Sequence, residues 1–122
     1  MLQKVMYFAS VAEFGTGVAL MVVPHLVVAL LLGAEVSAVG ISISRCFGIG
    51  LIALGLACWP GASVQASSPA VRAMLVYNAL TGVFLAYLGF FGKTGALLLW
   101  PVAGLHAAIA LLLVSTWRKT RT

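Results

Sequence analysis

Apolar residues dominate this chain so continuously that the informative positions are the polar interruptions. Reading between them gives four runs, at about 5–32, 36–59, 70–91 and 96–117, each at or above the ~20 residues that a helix needs to cross a bilayer. Their connections are brief: Gly33-Ala34-Glu35, then Pro60 to Pro69, then Gly92 to Gly95. Only the middle connection has the polar content of a loop, in Gly61, Ser63, Gln65, Ser67 and Ser68. The expected fold is therefore all-α: residues 1–122 form a single integral membrane domain, a bundle of four transmembrane helices. The first run, at about 28 residues, exceeds the hydrocarbon thickness and is expected to tilt or to kink at Pro24. It is too long for a signal-peptide core, carries Glu13 internally and has no convincing small-x-small cleavage site, so we expect it to be retained.

Composition supports the same class. The chain is 63% hydrophobic and 7% charged, where soluble domains are about half apolar and about a quarter charged. So few charges cannot cover a surface in water. Nucleic-acid recognition would need a basic folded face with base-reading residues, and the net charge of +5 has another distribution. Lys4, Arg72, Arg118, Lys119 and Arg121 fall on one side of the expected bundle, against Lys93 and, deeper, Arg45 on the other. The positive-inside rule then places both termini in the cytoplasm. Tyr7, Trp59 and Trp117 mark the inner interface, with Tyr87 and Trp100 toward the outer one. Cys46 and Cys58 lie twelve residues apart on one run, ~18 Å along a helix, too far for an intramolecular disulfide.

Polar groups inside a membrane need partners, so they locate any site. Counting ~1.5 Å per residue from each run's midpoint, Glu13 and Asn78 fall on the cytoplasmic side of the centre, with Tyr77 and Arg72 near them. Arg45 and His106 form an outer layer with Ser42 and Ser44. Small residues mark the faces that approach a neighbour: Ala9, Glu13 and Gly17; Gly40, Ser44 and Gly48; Asn78, Gly82 and Ala86; Ala103, His106 and Ala110. Glu13, Asn78 and His106 are thereby expected to point inward, whereas Arg45 lies ~100° off its small-residue face. The candidate ligand-binding set is Glu13, Arg45, Tyr77, Asn78 and His106. Each has a structural alternative: Glu13 pairs with Arg72 or Arg45 and staples the bundle, Arg45 snorkels, Asn78 is interhelical glue, and His106 is a hydrogen-bonded core histidine. His25 and His106 differ in depth by ~9 Å on the same scale, too far for bis-histidine haem. No cofactor is expected, and no metal, since no His/carboxylate cluster is present.

Two resemblances add to this reading. Ala12-Glu13-Phe14-Gly15-Thr16-Gly17 resembles the first helix of small multidrug-resistance transporters. Those are four-helix proteins in which one embedded Glu exchanges protons for cationic drugs; the likeness covers six residues. More of the chain is spanned by Thr16-Gly17 with Pro24 and Leu31-Leu32-Gly33, Ser44-Arg45 with Gly48, Gly55 and Cys58, Arg72 with Tyr77-Asn78, and Trp100-Pro101 with His106. Together these are similar to small bacterial membrane proteins of the DoxX and DUF4345 type. That likeness implies a bacterial inner-membrane four-helix bundle and no reaction.

The expected function is non-enzymatic, because the sequence offers no recognisable nucleophile or redox centre. It is a small accessory or ligand-binding protein of the inner membrane, holding a lipid-like or quinone-like molecule or docking on a larger membrane complex. The alternative is a proton-coupled small-molecule transporter, working as a homo-oligomer with Glu13 as its proton site.

Overall fold

The computed structural model describes residues 1–121. It is all-α, with helices α1 (Leu2–Val22), α2 (Pro24–Leu32), α3 (Ala38–Ala57), α4 (Pro69–Phe91) and α5 (Leu99–Lys119) and no strand among the described residues. Four of them (α1, α3, α4 and α5) are long and apolar enough to cross a membrane.

The helix boundaries follow from local chemistry. Pro24 has no N–H, so the α1 ladder loses a donor just where Val23 leaves helical geometry, at φ −133° and ψ 59°. Val23 N–H closes α1 on the Ala19 carbonyl at 2.8 Å, and the Val23 carbonyl accepts from Leu26 and Val27 to start α2. Pro24 then occupies the first turn of α2, where a missing N–H costs nothing. The expected first run is thus two helices, and the Pro24 kink is a full break. α2 stops at Gly33, whose φ of 68° closes the helix through Gly33 N–H to the Ala29 carbonyl. Ser37 and Ser68 cap α3 and α4, accepting from the N–H groups of Gly40 and Val71.

Packing divides the chain into two antiparallel hairpins, α1 with α3 and α4 with α5, which touch each other much less than each touches itself. The seam of the first is backbone on backbone. A Cβ placed on Gly17 would stand 2.6 Å from the Gly48 carbonyl oxygen, and one on Gly55 would stand 2.8 Å from that of Ser10. Only glycine admits so close an approach. In the second hairpin Gly82 lies under Ala107 and His106, and Gly89 lies under the Trp100 ring.

Two small apolar cores join the hairpins. One gathers Met6, Ala9, Cys58, Met74, Ile109 and Leu113 at the end that holds the N-terminus, the α3–α4 connection and the end of α5. At this end Gln3 donates to the Gly61 carbonyl, and Tyr7 meets Trp59 edge to face. The other gathers Leu85, Leu99 and Ala103 against Leu31 and Leu32 of α2. There the Leu98 N–H donates to the Leu30 carbonyl at 2.9 Å and ties α2 to the start of α5.

Besides the apolar cores, many large apolar side chains face outward while several small and polar ones are buried. Small and polar residues such as Ala9, Ser10, Glu13, Asn78 and Ala103 are buried, while Phe8, Val39, Ile43, Leu80, Val83 and Phe90 are exposed. Large apolar side chains outward and small ones at the seams are what helices surrounded by lipid require.

Candidate functional site

Between the two cores lies a cavity of about 610 Å³, bounded by all five helices. Its walls are mostly Leu, Val and Phe; its polar groups are Glu13 and Thr16 of α1, Ser44 of α3, Tyr77 and Thr81 of α4 and His106 of α5. α3 and α4 each form a wall, and among the described residues they meet only near Cys58 and Ala70, away from the cavity. Phe47 on one side and Leu80 and Phe84 on the other, all exposed, line that side. The cavity is therefore partly open, with its gap between α3 and α4.

The polar cluster is built from three helices. Asn78 is fully buried, and its side-chain N–H donates to the Met74 carbonyl one turn below, at 2.9 Å. That bond orients the amide and leaves Asn78 Oδ1 facing His106 Nδ1 at 2.8 Å. An amide oxygen only accepts, so Nδ1 carries the proton that joins them. Glu13, 2% exposed, lies on the other side of the same ring nitrogen, with Oε1 at 3.9 Å. Tyr77 crosses the imidazole edge to face, with ring centres 5.6 Å apart and planes at 77°. Its hydroxyl faces the Glu13 carboxyl and the Thr81 side chain. His106 Nε2 has no partner among the described protein atoms, and His106 lines the cavity.

Of the five residues singled out from the sequence, four come together: Glu13, Tyr77, Asn78 and His106. The fifth stands apart. Arg45 is exposed, does not line the cavity, and donates from Nε to the Met21 carbonyl at 3.2 Å. The break at Pro24 explains this contact. The α1 carbonyls near its end lose their donors in the following turn, and the guanidinium of the neighbouring helix replaces one of them. Arg72 is also exposed, in the first turn of α4. Among the described residues the Glu13 carboxyl stands beside His106, not beside either arginine.

Glu13, Tyr77 and Asn78 of the expected inner layer thus meet His106 of the outer one, while Arg72, Arg45 and Ser42 stay outside. Taking α1 as Leu2–Val22 moves its midpoint down the chain and puts Glu13 at the middle of its helix. Glu13 is thereby no longer displaced toward one end of its helix. Sequence reasoning also passed over Thr81, one turn beyond Tyr77 on α4. The signal was available: Tyr77, Thr81 and Phe84 fall on one face at helical spacing.

The chemistry open to such a cluster is binding, orientation and the holding of a proton between Glu13 and His106. Among the described residues no three His, Cys, Asp or Glu side chains converge as a metal site. Cys58, although buried, is engaged with the Ala70 carbonyl away from the cavity. Compared with protein-family models, curated proteins and solved structures, the chain has no match. The functional reading therefore rests on this geometry.

Proposed function

We propose that the protein is a multi-pass membrane protein that holds a lipid-like or quinone-like molecule, with the apolar part of the ligand in the cavity and its polar head against Glu13, Tyr77 and His106. The observation that carries this reading is a cavity of about 610 Å³ with an apolar wall and one buried polar cluster. Its size falls within the ~300–1,000 Å³ of small-molecule sites, and a few convergent polar groups in an apolar wall are what orient such ligands. The gap between α3 and α4 would face the acyl chains, so the ligand would enter sideways from the bilayer. Docking on a larger membrane complex is the accessory role compatible with this site.

The reading includes an orientation. The N-terminus, the start of α4 and the end of α5 gather at one end of the bundle, which brings Lys4, Arg72, Arg118, Lys119 and Arg121 together there. That end is cytoplasmic by the positive-inside rule, and a bacterial inner membrane is the setting.

Native mass spectrometry of the protein, extracted gently from the membrane in which it is made, tests the reading. The expected result is a bound amphiphile of defined mass, which Leu85→Trp displaces by filling the cavity while the protein stays folded. No bound molecule, or one retained in full by the filled variant, would overturn it.

A second reading is favoured by one observation, the Glu13–His106 pair at the cavity wall. In it the protein is a proton-coupled transporter, and Glu13→Gln abolishes substrate uptake driven by a pH gradient into proteoliposomes. Uptake unchanged in that variant would remove it.

A further inference from the structure

The hydrogen-bond pattern of the cluster restricts the head group, and the argument rests on the cavity being a ligand site as proposed above. The Met74 carbonyl fixes the Asn78 amide, the amide fixes the proton on His106 Nδ1, and Nε2 is left as the ring atom without a protein partner. Glu13 and His106 form one pair. While the two share one ionisable proton, that pair is neutral overall, as carboxylic acid with imidazole or as carboxylate with imidazolium. In the first, Nε2 accepts and the carboxyl can donate; in the second, Nε2 donates and the carboxylate accepts. The pair therefore presents one donor and one acceptor in either case, beside the Tyr77 hydroxyl, which can do either. No lysine or arginine lines the cavity to offset an ionised head, since Arg45 and Arg72 stand outside it.

We infer that the site selects a neutral amphiphile with a hydroxyl head, donating to one of His106 Nε2 and the Glu13 carboxyl and accepting from the other. A hydroxyl is donor and acceptor at once and so matches both arrangements. An ether oxygen only accepts and leaves one of the two groups unpaired. A sulfonate or an ammonium brings a net charge that the Glu13–His106 pair offsets only by gaining or losing a proton, at the cost of that protonation change and of desolvating the ion.

The test needs no variant in the site. Protein in nanodiscs, with His25→Gln so that His106 is the single ¹⁵N-labelled imidazole, is titrated in turn with dodecanol, dodecyl methyl ether, dodecyl sulfonate and dodecylamine. Occupancy is read by native mass spectrometry and the ring nitrogens by NMR. The expected result is that the alcohol binds about tenfold more tightly than the ether, the effect of one buried group left unpaired. It should also bind more tightly than either ion, and should move the Nε2 resonance where the ether does not. Equal binding of alcohol and ether would overturn the hydroxyl assignment while leaving the cavity a ligand site. Tightest binding of the sulfonate or the amine would overturn it in favour of a charged head. If none of the four binds and Nε2 stays unmoved, the ligand-binding reading falls and the hydroxyl assignment with it.

Discussion

Single side chains in this bundle divide into those whose polarity is answered and those whose polarity is not. Asn78 is answered twice, by the Met74 carbonyl and by His106. Asn78→Leu leaves the His106 Nδ1 proton without an acceptor, and the expected cost is about 1–2 kcal/mol. Reversible unfolding in mixed detergent would show it; an unchanged midpoint would mean that His106 finds another partner. Ser10 is the opposite case. It is fully buried and its hydroxyl has no partner, so Ser10→Ala should be neutral or stabilising by up to about 1 kcal/mol. A clear loss of stability would show that the hydroxyl is bonded after all. The inward direction of Glu13, Asn78 and His106 was legible in the sequence, because each shares a face with small residues. That Arg45 would serve a carbonyl at the end of α1 was not legible. It depends on a break whose exact place is set by Val23 and Pro24 together, and on a neighbour from another helix.

Elements owe their placement to glycine more than to apolar content, which is nearly uniform along the chain. Gly17 faces the Gly48 carbonyl, whereas a Cβ on Gly50 would meet nothing within 4 Å. Gly17→Ala is therefore expected to spread the α1–α3 seam and destabilise the hairpin. Gly50→Ala should gain up to about 1 kcal/mol from helix propensity alone. The two thermal transitions, measured side by side, separate seam packing from propensity; equal shifts would contradict the seam. Three of the four runs were legible to within a few residues, since length and hydropathy define them. The first was not, because an apolar run of that length reads as one long helix until the chain geometry at Pro24 is known. The position of Glu13 relative to its helix's midpoint shifts for the same reason. A midpoint is only as good as the two ends that define it.

For the whole molecule, orientation can be checked directly. With Cys46→Ser removing the exposed native thiol, Lys93→Cys should react with a membrane-impermeant maleimide from outside spheroplasts. Lys4→Cys should react only after lysis. Labelling of both from outside, or of Lys4→Cys alone, would reverse the proposed topology. The fold class was legible from composition, but the pairing of helices was not. Four apolar helices can be grouped in several ways, and the grouping seen here follows from where glycine lets backbones meet.

The division into two glycine-seamed hairpins has a consequence for how the protein comes to be made. A ribosome delivers α1, α2 and α3 before α4 exists, and their seam is complete without anything that follows. The second pair closes in the same way on Gly82 and Gly89. The pocket belongs to neither half and is complete only when they meet; in the membrane setting proposed above it would close already surrounded by acyl chains. Under the proposed reading its first occupant would be whatever the surrounding bilayer supplies, and a more selective ligand would have to arrive by displacing a lipid rather than by filling an empty space.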